Sequence, residues 1–259
     1  MFSFRANKIL PITKKSVDHP KKMIEENKIN SAIEIIYQDS DFLVVNKPAK
    51  MLVYSPAPKE KSLIKELSQQ QPLLTKVGQQ PRYGIVHRLD KEASGIVLVA
   101  KNDRTLSFFQ KQFQERKVGK KYYALVWGIM KPTKGIFKDL IGRSKQDFRK
   151  QKIFLPHSPL SINKRTAEST YRLIRQFIGC ALLEVTIKTG RRHQIRIQLT
   201  ERNHPLVGDK LYGFKDQNQK QPRLFLHGFF LKIKLPNGEE KSFNSPLPLQ
   251  LKNILLCLS

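Results

Sequence analysis

Cysteine is nearly absent from this chain: Cys180 and Cys257 are the only two, far apart and without metal-ligand spacing. A disulfide framework and a cysteine-held zinc are thereby excluded, and a reducing, cytoplasmic setting is expected. Long apolar runs are missing too. Nothing approaches the roughly 20 apolar residues of a membrane span. The opening MFSFRANKILPITKKS is broken by charges where a signal peptide would be uniformly apolar. No GxxxxGK[ST] element occurs, which argues against ATP or another nucleotide cofactor. Carboxylates are scarce. A metal-dependent nuclease needs them clustered around its ions, yet the one close aspartate pair of that kind, Asp39 and Asp41, reads as a turn. No metal and no cofactor are expected.

What the chain has in excess is positive charge. Lysine and arginine number 48 against 21 acids, a formal net charge of +27. That is far more than solubility requires, and it predicts a polyanionic partner bound in a salt-sensitive way. A membrane surface would attract the same charge, but no long amphipathic basic helix stands out to lie on it. At 259 residues the chain can bury one large core. Residues 1–30, basic and weakly periodic, read as an extension, and residues 31–259 as the functional domain, expected to work as a monomer.

The hydrophobic pattern predicts strands at Ile33–Tyr37, Phe42–Val45, Tyr122–Met130, Thr170–Ile174 and Leu182–Thr189. Helices are expected over Ser62–Gln70 and over Thr105–Arg116, the latter with Leu106, Phe109 and Phe113 on one face. Leu224–Leu235 and Lys241–Phe243 form a hairpin about an Asn-Gly turn. Residues 131–165 carry many cations and three prolines and read as a surface insertion, usable against phosphates or simply solvated. There is no regular βαβ alternation, so an α+β fold with a mixed, mainly antiparallel sheet is expected.

One segment stands out. Residues 84–102, GIVHRLDKEASGIVLVAKN, place two apolar, strand-like pieces around a polar turn. A carboxylate at a strand end, Asp90, has Arg88 two residues before it, and opposite charge favours its ionised form. Alone, this is also the pattern of a hairpin whose charges face water.

Other stretches narrow the choice. Asp41–Pro48 reads DFLVVNKP, Lys120–Val126 KKYYALV, Thr189–Ile197 TGRRHQIRI and His204–Gly213 HPLVGDKLYG. With HRLD followed by SG and an apolar strand, these pieces resemble, in family order over roughly residues 33–250, the RluA-type pseudouridine synthases. The resemblance implies the pseudouridine-synthase catalytic fold with a central cleft, in a short form without the family's N-terminal RNA-binding domain. It implies isomerisation of uridine in ribosomal or transfer RNA, with Asp90 as nucleophile and Arg196 as its basic partner. Tyr122 is implied as the active-site tyrosine, although alternation along the strand cannot choose between Tyr122 and Tyr123. Arg88 is the implied gap-filler for the flipped base, and His87, Arg191, His193 and Gln194 are placed against RNA.

Tyr54, Arg192, Gln198 and Asn203 depart from the common pattern, standing where histidine, threonine, histidine and glycine are frequent. On charge alone, a non-catalytic RNA-binding protein is the competing reading. Asp90 discriminates, because a pure binder gains nothing from an acid facing RNA.

Overall fold

Ten strands form one sheet in the computed structural model, which describes residues 33–57, 59–155, 164–214 and 222–258. The basic extension at residues 1–30 lies outside the described residues. Strands β1 (Glu34–Gln38) and β2 (Phe42–Lys47) lead to helix α1 (Leu63–Gln70) and a short 3₁₀ turn at Pro72–Lys76. β3 (Ser94–Ala100), α2 (Asp103–Gln114) and β4 (Gly119–Trp127) follow. Next come β5 (Lys134–Arg143), β6 (Gln151–Phe154), β7 (Arg165–Phe177), β8 (Cys180–Ile187) and α3 (Gln194–Thr200). β9 (Leu226–Lys234), β10 (Glu240–Asn244) and α4 (Leu249–Leu256) complete the chain. The order across the sheet is β1-β2-β3-β9-β4-β8-β7-β5-β6, with β10 added to β9. Among the described strands only β3 and β9 run parallel, and the other pairings are antiparallel. The mixed, mainly antiparallel α+β fold expected from the sequence is therefore present.

Both faces of the central strands are covered. β3 is buried at all seven positions, as its unbroken apolar run requires. Val97 and Val99 join Leu43, Val45, Leu183 and Val185 on one face, under Leu63, Ile64 and Leu67 of α1 and Ile195 and Leu199 of α3. Ile96 and Leu98 join Phe42, Val44, Leu231 and Phe243 on the other, under Phe109 of α2. α4 covers a third cluster through Leu251, against Leu125, Phe177 and Phe225.

Several boundaries differ from expectation. α2 begins at Asp103, because the Asn102 side chain accepts the Thr105 N–H and caps it. β4 occupies Gly119–Trp127 and not Tyr122–Met130, since Gly128 takes a φ of 91° and turns the chain. The Gly84–Val86 piece of the signature segment is not a strand; Ile85 makes a single bridge to Val99. β7 runs from Arg165 to Phe177, far longer than Thr170–Ile174, and the 131–165 region supplies β5 and β6. Residues 156–163 of that region are outside the described set. Asn203, where glycine is frequent, sits at φ 62° just past α3, a conformation asparagine tolerates better than most residues. Cys180 is buried and Cys257 exposed, both unpaired as thiols.

Candidate active site

The middle of the sheet carries an open cleft of about 620 Å³, and all eight residues singled out from the sequence line it. The Asp90 turn precedes β3, Tyr122 comes from β4, and His193, Gln194 and Arg196 come from the start of α3. Elements distant in sequence thus converge on one carboxylate.

Asp90 lies beside Arg196, with Nη1 3.4 Å from Oδ2. The sequence reading assigns Arg196 this one partner, but the structure adds a second and closer one. Asp209, fully buried, accepts from Nε and Nη2 at 2.7 Å each, a bidentate fork. Asp209 also accepts the backbone N–H groups of Leu211 and Tyr212, which fixes it in the HPLVGDKLYG loop. Burial by itself would weaken the Arg196 charge; the bonds and charge of Asp209, then the charge of Asp90, more than reverse this and raise its pKa. Asp209 carries no signal in the sequence that ties it to Arg196, thirteen residues away. The Arg196 guanidinium also lies 5.1 Å from the Tyr212 ring centre.

Tyr122 projects into the cleft, whereas Tyr123 stacks on Phe229 at 3.9 Å on the opposite face. The strand alternation is thereby resolved. Burial, reinforced by the charge of Asp90, pushes the Tyr122 phenol well above its ordinary pKa, so it stays protonated at neutral pH. Its ring rests on Gly228, where an added Cβ would come within 3.1 Å of Cε1.

His87 stacks on Phe113 with ring centres 4.6 Å apart, and its Nε2 accepts the Leu98 N–H at 3.1 Å. An accepting nitrogen must be unprotonated. Burial, then the charge of Lys120, lowers this pKa to about 3, in keeping with that role. Arg88 is exposed at the rim and donates from Nη1 to the Tyr54 hydroxyl at 3.0 Å; it does not pair with Asp90. Arg82 and Arg88 both lie over the Tyr54 ring, at 4.9 and 5.2 Å.

Gln194 is corrected by the structure. Placed against RNA by the sequence reading, it is 3% exposed and its amide is saturated. The oxygen accepts from Thr189 Oγ1 and Arg191 N, and the nitrogen donates to Glu168 O and Ser169 Oγ. It frames the turn before α3 and has nothing left for a ligand. His193 stands at φ 55°, a strained conformation for histidine, and its Nδ1 is 2.9 Å from the Tyr212 hydroxyl. Arg191 is half-buried, with its pKa lowered by burial and by repulsion from Arg165 and Arg116. Lys120 is lowered to about 8, by burial and then by Arg191. Cations that repel one another at the mouth of a cleft suit an anionic ligand.

Among the described residues, no group of three His, Cys, Asp or Glu side chains is placed to hold a metal ion. None of their helices is long and apolar enough to cross a membrane.

The chain is also similar to known proteins. A family model described as RNA pseudouridylate synthase matches residues 41–201. An uncharacterized RNA pseudouridine synthase of Helicobacter pylori is 33% identical over 247 residues, which cover 94% of this chain and 73% of that protein. The ribosomal large subunit pseudouridine synthase D of Borreliella burgdorferi is 33% identical over 225 residues, covering 85% and 66%. Among solved structures, human RNA Pseudouridylate Synthase Domain Containing 1 superposes with a TM-score of 0.68 at 25% identity, covering 87% of this chain and 94% of that one.

Proposed function

The chain belongs to the RNA pseudouridylate synthase family, and from that premise we propose that it converts specific uridines of ribosomal RNA to pseudouridine with Asp90 as nucleophile. The convergence of Asp90, Tyr122 and Arg196 on one cleft is the observation that carries the reading. The choice of ribosomal RNA is supported by relatives named as large-subunit enzymes in Borreliella burgdorferi and Neisseria meningitidis; transfer RNA is the other outcome of the test below.

The reaction breaks the bond between C1′ of the ribose and N1 of the uracil, turns the base, and joins C1′ to C5. C5 gives up its proton and N1 gains one, so reactant and product are isomers and no oxidant or acceptor is consumed. Asp90 acts through its carboxylate, attacking sugar or base or stabilising charge that develops at C1′. Arg196, locked by Asp209, holds a permanent positive charge against that carboxylate and offsets the cost of keeping it charged inside a cleft. Tyr122 packs against the uracil and offers a phenolic proton.

The target base must leave its stack, at a cost of a few kcal/mol. Arg88, exposed and resting on Tyr54, can swing into the vacated space. Arg191 and His193 contact phosphate or sugar at the rim. Residues 31–259 act as the catalytic domain, a cytoplasmic monomer in this reading.

Pseudouridine mapping of cellular RNA with and without the gene tests the proposal. Loss of one or more ribosomal sites is expected. Loss confined to transfer RNA would reassign the substrate, and an unchanged map would contradict the activity.

A further inference from the structure

A second hollow, of about 610 Å³, lies behind the wall formed by Arg192, His193 and Arg196, residues that also line the active cleft. Its other cations are Lys50, Lys91, Arg149, Lys210 and Arg223, and its carboxylates are Glu92 and Asp209. Most of the charge on a protein surface is matched by neighbours, so what matters is which of these cations lacks a carboxylate. Arg196 is committed to Asp209 and Asp90. Arg149 is paired in a fork with Asp147. Lys91 is 3.7 Å from Glu60.

The remaining four are different. Arg192 donates to a backbone carbonyl, that of Arg149. Arg223, 5% exposed, donates to Ser94 Oγ and to its neighbour's carbonyl. Lys50 and Lys210 are exposed and make no ion pair with any described residue. These four cations therefore face the hollow with one further carboxylate, Glu92, whose charge acts on Arg223 and on the buried Lys47; Lys50, Lys210 and Arg192 are left without a carboxylate partner among the described residues. Leu211, Pro222 and Leu224 add an apolar side to the lining.

The hollow is built into the backbone. Gly208, at φ 76°, brings the 208–210 loop so close to Arg223 that an added Cβ would lie 2.1 Å from its carbonyl oxygen. That approach sets Lys210 and Arg223 on the same cavity.

We propose that this hollow is a backbone-phosphate site for the RNA strand on one side of the target uridine, with Lys50 and Lys210 as its two exposed phosphate contacts. A polyanion fits because Lys50, Lys210 and Arg192 are spread along the hollow without a carboxylate partner, and because an apolar side can take a sugar or base face. The shared wall makes the strand continuous: a nucleotide in the active cleft has its neighbour within reach of the far side of Arg192 and Arg196. The inference rests on RNA being the substrate, but not on which RNA or on Asp90 chemistry.

The test is binding of a fluorescein-labelled, uridine-containing single-stranded RNA of twelve nucleotides, followed by anisotropy across a salt series. The full chain is compared with Lys50→Gln/Lys210→Gln and with a control, Lys134→Gln/Lys252→Gln, placed on β5 and α4. Both variants change exposed residues, and folding is checked by thermal unfolding. Single-strand phosphate contacts contribute about 0.7 each to the slope of log affinity against log salt, so the first variant should lower it by about 1.4 and bind roughly tenfold more weakly at low salt. The control should stay within a few tenths of the parent slope. An unchanged slope in the first variant, or an equal fall in both, would overturn the proposal. Turnover is not measured, so failure of the enzymatic reading would leave this result standing or falling separately.

Discussion

At the residue scale, one guanidinium in the cleft is shared by two carboxylates. Asp209 needs Arg196 as much as Asp90 does, because it is fully buried. Removing the cation strands a charge that water cannot reach. Arg196→Met should therefore cost about 3–5 kcal/mol of stability, the range for breaking a buried pair, and should reduce turnover at least a hundredfold. Denaturant unfolding and turnover on the same preparation check both. A stable, active Arg196→Met protein would show that the fork to Asp209 is not what positions the site. The identity of Arg196 as a cleft residue was legible from the resemblance of TGRRHQIRI to the family's pattern. Its fork to Asp209 was not, since no local pattern links a helix residue to a loop thirteen positions on. Gln194 was misread for the same reason: its partners, Glu168 and Ser169, are brought in by β7.

At the element scale, the junction of β3 with β9 leaves no room for a side chain at Gly95. Gly95 at φ 126° stands where a Cβ would be 2.2 Å from the Gly228 carbonyl oxygen. Gly95→Ala combines a strained backbone with a clash against main chain, and a loss of about 3 kcal/mol or more is expected in urea unfolding. A loss under about 1 kcal/mol would mean the two strands can part without cost.

Elements whose faces are set by sequence period were legible: α1 with Leu63, Ile64 and Leu67 buried, and the β9–β10 hairpin about Asn237-Gly238. Ends set by single residues were not, as Gly128 shows for β4 and Asn102 for α2. The Gly84–Val86 piece had strand composition and does lie along β3, with Val86 N–H donating to Leu98 O and Ala100 N–H to Gly84 O, but the pairing is too short to make a strand.

At the scale of the whole molecule, burial of bases sets the pH range of the fold. His227, with Nδ1 against Ser94 Oγ and Nε2 against Ser245 O, is held down to about 4 chiefly by burial, and His87 to about 3. A base with a depressed folded pKa takes up its proton more readily when unfolded. Its contribution is thus present above pH 6.5 and lost as pH falls toward 4 and 3, by about 1.4 kcal/mol per pH unit for each group. Lys47 acts in the alkaline range: burial, then Arg223, lowers its pKa to about 7, against a contrary pull from Asp90 and Glu92. Its Nζ also donates to the carbonyls of Pro48, Met51 and Lys91, which favours the charged form and opposes that lowering. Thermal unfolding between about pH 4 and 6.5 checks the sign for the two histidines, and a midpoint that falls as pH rises across that range would contradict it.

The net charge of +27 acts at this same scale. It predicts RNA binding that weakens steeply with salt, and affinity indifferent to ionic strength would contradict a phosphate-led mode.

The most direct measurement of the central claim is complementation read by pseudouridine mapping. Cells lacking the gene receive either the parent protein or Asp90→Asn, which removes a charge and nearly keeps the shape. Both proteins are expected to accumulate and to bind RNA. The parent should restore every lost ribosomal site, and Asp90→Asn should restore none. Restoration by Asp90→Asn would contradict Asp90 as the nucleophile, and with it the supporting roles of Arg196 and Tyr122 in the cleft.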